Sequence, residues 1–297
     1  MYKIKQLFII GLLASSINHN FTSIKANEIT TSFDENVANI SYFADQNSLT
    51  VSRLDTSVQI QLLNDTFTKT SPFSNDFKSK GYLNISENSV ISSQENGIGV
   101  EITSVINVTE NGLLPIQIVS NNTFINDLEY GSIKIVNEDN FQIGLITKPV
   151  LKNTNGDEIT AQYVIRDGAV QIELLESIEE NSQVIIIYTI YPQYKFSDFF
   201  YSSGWINRNG EISLSIEVNK NGNGWYIPSS STDILDTSWS LLYYKHSGDQ
   251  YWYNVQGLFH QYDCHYSFVW AIKTQWNIEP WRPNVGYSAT VQAGCNP

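Results

Sequence analysis

Apolar and polar side chains alternate with a period of two in several stretches of the first two thirds of the chain. They are Val58-Gln-Ile-Gln-Leu62, Gly99-Val-Glu-Ile102, Ile116-Gln-Ile-Val119, Ser132-Ile-Lys-Ile-Val136, Phe141-Gln-Ile-Gly-Leu-Ile146 and Val170-Gln-Ile-Glu-Leu174. A strand sends successive side chains to opposite faces, so this pattern predicts half-buried strands. Asn96-Gly97, Asn111-Gly112, Asn155-Gly156 and Asp167-Gly168 fall between the runs. Such pairs tolerate positive φ and turn tight hairpins, which predicts an antiparallel meander or sandwich. Pro115 and Pro149 are expected at edge or terminal strand positions, because proline donates no ladder hydrogen bond. The continuous apolar run 184–191 (VIIIYTIY) predicts a buried strand. Residues 33–47 give the weakest pattern.

Beyond residue 205 the periodicity changes. Asn209-Gly210 is expected to turn a hairpin into a strand over 212–218. Asp236, Thr237 or Ser238 is the expected cap of a helix running from Trp239 to about His246 and stopped near Ser247-Gly248. Val255, Leu258, Phe259, Tyr262, Tyr266 and Val269 recur at three- and four-residue steps and predict a helix over 254–270. The fold class that follows is mostly β in two domains: an N-terminal antiparallel β-sandwich, then a small C-terminal α+β domain with one disulfide.

Composition sharpens the division. Residues 27–195 contain no Trp, Cys or His, whereas all seven Trp and both Cys lie later. Residues 27–195 carry 22 acidic and 9 basic side chains, and 196–297 carry 8 and 5. The junction is placed at Tyr191-Pro-Gln-Tyr-Lys195. Lys3 and Lys5, then the apolar run Leu7–Leu13, then a small residue at Ala26 have the order of a secretory signal peptide. The run is far short of the roughly 20 apolar residues of a spanning helix. The expected organisation is a signal peptide over 1–26, an acidic β-sandwich accessory domain over 27–195, and a Trp-rich module over 196–297. A net charge of −13 argues against nucleic acid, since no basic surface is present to displace phosphate counterions. It argues equally against anionic membranes.

Two stretches carry family resemblances. Leu145 to Pro149, Asn155-Gly156, Thr160-Ala-Gln-Tyr163, Asp167-Gly168, Gln171 and Tyr191-Pro192 resemble the β-rich accessory region of exported Gram-positive proteins. That likeness implies a carrier role. Trp205-Ile-Asn-Arg-Asn-Gly210, Cys264-His265, Trp276-Asn-Ile-Glu279, Trp281-Arg-Pro283 and Cys295-Asn-Pro297 are similar to a C-terminal module of secreted actinobacterial and Bacillus-type proteins. That family is a domain of unknown function, so it implies a compartment but no activity.

Two cysteines in an exported protein are expected to pair, and Cys264 with Cys295 closes a long loop. His260, Cys264 and His265 share a helix face, but once the bridge forms too few ligands remain for zinc. No metal and no cofactor are expected. His265, Glu279 and Arg282 are the candidate acid–base group: a histidine beside a carboxylate acts as a base, and a guanidinium holds an oxyanion. The alternative is a structural Glu279–Arg282 ion pair. His246 reads as a dipole partner at a helix C-terminus. No HExxH, GxSxG, P-loop or EF-hand pattern is present. Trp252, flanked by Tyr251 and Tyr253, is the first candidate for an exposed aromatic anchor, with Trp276 and Trp281 also considered.

The expected function is a secreted bacterial protein whose C-terminal module recognises an extracellular or cell-envelope protein or glycan, as a competition or host-directed factor. The alternatives are a secreted hydrolase of envelope polymers centred on His265, Glu279 and Arg282, and a structural surface protein.

Overall fold

The computed structural model describes residues 37–43, 48–63, 90–96, 98–108, 112–179, 182–226 and 231–297, all within one compact unit, Ser32–Pro297. The expected signal peptide and the Gly97 and Asn111 turn positions lie outside the described residues.

The first strands are β1 (Asn39–Phe43), β2 (Ser48–Arg53), β3 (Thr56–Leu62), β4 (Val90–Asn96), β5 (Gly99–Val108) and β6 (Leu113–Ser120). There follow β7 (Thr123–Asp127), β8 (Ser132–Val136), β9 (Gln142–Ile146), β10 (Val150–Asn153), β11 (Glu158–Ile159), β12 (Ala161–Arg166), β13 (Ala169–Leu174) and β14 (Ser182–Tyr191). Every pairing among them is antiparallel. One sheet runs β1-β2-β3-β6-β13-β12; the other runs β11-β10-β14-β9-β8-β7, with β5 and then β4 added on the far side of β14. The alternating residues anticipated from sequence meet between the sheets, where Val58, Ile60, Ile116, Ile118, Ile133, Ile135, Val170 and Ile172 are all excluded from solvent. Asp167 and Gly168 both take positive φ at the β12–β13 hairpin, as a two-residue turn requires.

Pro115 departs from expectation. It sits inside β6, which is flanked by β3 and β13 and is not an edge. Its hydrogen-bonding side faces β3, whose ladder ends with Leu62 opposite Ile116, so the missing N–H falls just past the end of that ladder. The Pro115 carbonyl still accepts from Leu63 N–H at 2.8 Å.

The chain passes to a second core at Tyr191. Tyr191 and Tyr194 stack with 6.0 Å between centroids and are buried with Ile98 and Leu145 from the sandwich and with Phe199, Leu214 and Trp276 from the C-terminal part. Gly144 lies against the Pro192 carbonyl, leaving no room for a Cβ, so the exit of the chain depends on glycine there.

The C-terminal part is a small α+β unit. Strands β15 (Phe200–Arg208), β16 (Glu211–Val218) and β17 (Gln275–Ile278) form an antiparallel sheet, with Asn209 and Gly210 at positive φ in the hairpin. Helices α1 (Ser231–His246), α2 (Val255–Cys264) and α3 (Tyr287–Gln292) complete it. The helix expected from Trp239 starts eight residues earlier, so Asp236, Thr237 and Ser238 are interior rather than caps. Tertiary partners hold that extra length. Tyr130 Oη meets Thr232 Oγ1 at 3.1 Å, Ser132 Oγ donates to Asp233, and Lys134 Nζ donates to Asp236 Oδ2 at 2.8 Å. The predicted 254–270 helix is α2 followed by a π-helical turn, His265–Val269.

Candidate functional site

Cys264 and Cys295 form the expected disulfide, with Cα atoms 5.4 Å apart and both residues buried. It fastens the end of α2 to the last turn of the chain. His265 follows directly, and its Nδ1 donates to the Gln261 carbonyl at 2.7 Å. Burial pushes the imidazole down to about 4, with the Gln261 bond opposing the shift.

Glu279 is buried and doubly engaged. Its Oε1 accepts from Ser213 Oγ at 3.1 Å and its Oε2 from Arg282 Nε at 2.9 Å. Arg282 Nη1 in turn donates to the main-chain oxygens of Asn296 and Pro297 at 3.3 and 3.0 Å. The Gln261 side chain joins the two halves: Oε1 accepts the Glu279 N–H and Nε2 donates to the Glu279 carbonyl, both at 2.9 Å. Of the two readings, the Glu279–Arg282 ion pair is the one present: it ties β17 to the C-terminal residues, and His265 is paired with main chain.

The aromatic residues divide differently from expectation. Trp252, anticipated as an exposed anchor, is only 9% exposed. Its ring stacks on Trp239 at 5.5 Å and meets Tyr243 at 5.6 Å and Trp205 at 6.3 Å. Trp276 is fully excluded from solvent. Both fill the second core because the α1–α2 turn and β17 drive them inward. Tyr251 is half-buried against Trp205.

Tyr253 and Trp281 are the exposed members, at 50% and 41%. They are linked. Asn254, at φ +52, donates from Nδ2 to the carbonyls of Pro280 and Arg282, at 3.2 and 2.7 Å. Those carbonyls bracket Trp281, so one amide fastens the turn carrying Tyr253 to the turn carrying Trp281. Gly257 makes the clamp possible, since a Cβ there would lie 2.6 Å from Asn254 Nδ2. The Arg282 guanidinium lies 4.6 Å from the Trp281 ring centre, leaving a cation beside an exposed indole.

A third constellation has no counterpart in the expectations. Ser203 Oγ lies 2.7 Å from His246 Nε2, and His246 Nδ1 lies 2.8 Å from Asp249 Oδ2. A carboxylate only accepts, so Nδ1 carries the proton and Nε2 receives the Ser203 hydroxyl. Trp205 Nε1 also donates to Asp249 Oδ2 at 2.8 Å. The rings of Trp205 and Trp252 meet the imidazole at 6.0 and 6.1 Å. Burial lowers the His246 pKa against the opposing pull of Asp249, and hydrogen bonds from His246 and Trp205 lower that of Asp249. Only His246 and Asp249, at i and i+3, were close enough in sequence to suggest a pair; Ser203 comes from a separate strand.

Among the described residues, no three His, Cys, Asp or Glu side chains are grouped to hold a metal ion, and no helix is long and apolar enough to cross a membrane. Residues 202–297 match the family described as protein of unknown function (DUF2599). The matched segment contains Ser203, His246, Asp249, the Asn254 clamp and both cysteines. No curated protein and no solved structure matches the chain.

Proposed function

We propose that this is an exported protein whose C-terminal region recognises an extracellular or cell-envelope partner, protein or glycan, through the surface carrying Tyr253 and Trp281. The observation that carries the reading is the Asn254 clamp, which fixes two exposed aromatic rings on rigid main chain. Pro280 and Pro283 flank Trp281-Arg282 and limit its turn further. Rigid, amphipathic rings lose little conformational entropy on binding, and they stack on sugar faces or fill protein pockets. The buried Cys264–Cys295 bridge is the kind of bond that persists in oxidising compartments outside the cytoplasm. In this reading the acidic sandwich carries the binding region.

The test is a pull-down of the labelled full chain on intact bacterial envelopes, before and after protease treatment. Binding that falls at least about tenfold in both Tyr253→Ala and Trp281→Ala, with unchanged melting, supports the reading. Survival after protease assigns a glycan, and loss assigns a protein. Equal binding by both variants overturns it.

A further inference from the structure

We propose that Ser203, His246 and Asp249 form a nucleophilic triad that hydrolyses an acyl ester or amide, an activity beyond partner recognition and independent of it. The geometry is that of an activated serine: hydroxyl to Nε2 at 2.7 Å, Nδ1 to carboxylate at 2.8 Å, in one unbroken chain. His265 shows how this fold satisfies an imidazole for structure alone, through a main-chain carbonyl one helical turn away. His246 is held differently, with each ring nitrogen met by a side chain, and by the types that give and orient a proton. The orienting group is itself fixed, because Trp205 Nε1 holds the same Asp249 oxygen. The Trp252 ring stacks on the imidazole and the Trp205 ring meets it at a steep angle, which keeps the histidine itself buried. Ser203 is half-buried rather than sealed, and Asp249 reaches solvent.

In the reaction, Ser203 Oγ bonds to the substrate carbonyl carbon while its proton passes to His246 Nε2. The imidazolium is stabilised by the Asp249 carboxylate. Collapse of the tetrahedral adduct breaks the bond to the alcohol or amine, which leaves with the proton from Nε2. Water then attacks the acyl-enzyme, gives its proton to Nε2, and releases the carboxylic acid as Ser203 Oγ recovers its hydrogen. Lys245 Nζ donates to the Ser203 carbonyl at 3.4 Å and lies 4.0 Å from the centre of the Phe196 ring, holding a positive charge beside the nucleophile's residue.

The test treats the disulfide-intact full chain with a fluorophosphonate, which bonds to an activated serine oxygen and expels fluoride. Peptide mass spectrometry locates the adduct. The expected result is one phosphonyl group on Ser203 in the folded chain and none after unfolding in urea. Ser203→Ala should carry none, and Asp249→Asn should react at least about 100-fold more slowly at an unchanged melting temperature. A folded native chain with no adduct on Ser203 overturns the proposal, as does equal labelling of Asp249→Asn. If Asp249→Asn fails to fold, the native chain's adduct still decides. Because labelling needs no partner, its failure leaves the Tyr253–Trp281 surface standing, and the reverse holds too.

Discussion

Arg53 and Asp198 form a buried, two-pronged ion pair, with Nη1 to Oδ2 at 2.6 Å and Nη2 to Oδ1 at 3.0 Å. Arg53 ends β2 in the sandwich, and Asp198 lies in the short turn between β14 and β15. The guanidinium also donates to the Gln193 carbonyl at 2.7 Å, and the Lys195 N–H donates to Asp198 at 2.9 Å. A charge cluster thus locks the segment joining the two cores, and the sheet bearing Ser203 begins two residues later.

Removing one partner strands the other charge away from water. Asp198→Ala should therefore destabilise the chain by about 3–5 kcal/mol, read from the urea midpoint. Arg53→Met with Asp198→Leu together should cost much less. A double variant as unstable as the single one would show that packing, not charge, holds this segment.

Acid should weaken the fold through His265. Its folded-state pKa of about 4 lies below the ordinary 6.5, so between those values the unfolded chain binds the proton that the folded chain refuses. The stabilisation is complete above about pH 6.5 and is lost as pH falls toward 4, reaching about 3 kcal/mol. Burial shifts His246 the same way and adds to the slope. Denaturant titrations at pH 7 and pH 4.5 should show the loss, and His265→Gln should flatten much of it.

Trp252 and Trp281 should respond oppositely to truncation. Trp252→Ala empties a stacked core position and should cost about 3–5 kcal/mol. Trp281→Ala should change stability by less than about 1 kcal/mol while reducing envelope binding. Thermal melts beside the pull-down separate the two.

Reduction of the Cys264–Cys295 bridge frees a loop spanning 31 positions. In the chain-entropy model this lowers stability by about 3–4 kcal/mol, measurable as a drop in Tm after thiol treatment. A Tm indifferent to reduction would mean that the Arg282 contacts to Asn296 and Pro297 already hold the C-terminal turn.

Much of the fold could be read locally. The alternating runs at 58–62, 132–136 and 170–174 are strands whose apolar faces meet, because strand periodicity is written in consecutive residues. The Asn209-Gly210 turn and the apolar face of α2 were visible for the same reason. Pro115 was misplaced, because where a ladder ends depends on how β3 pairs with β6. The start of α1 was missed because Tyr130, Ser132 and Lys134, about a hundred positions earlier, hold its first turns.

Residue order alone determined the β-rich class, the α+β ending and the pairing of the two sulfurs, since periodicity, turn chemistry and cysteine number need no distant partner. Tertiary structure decided which tryptophans are core, turned His265 toward its own helix, and brought Ser203 across 43 positions to His246. Side-chain exposure and hydrogen-bond partnership are properties of packed surfaces, and packing is settled only when distant segments meet.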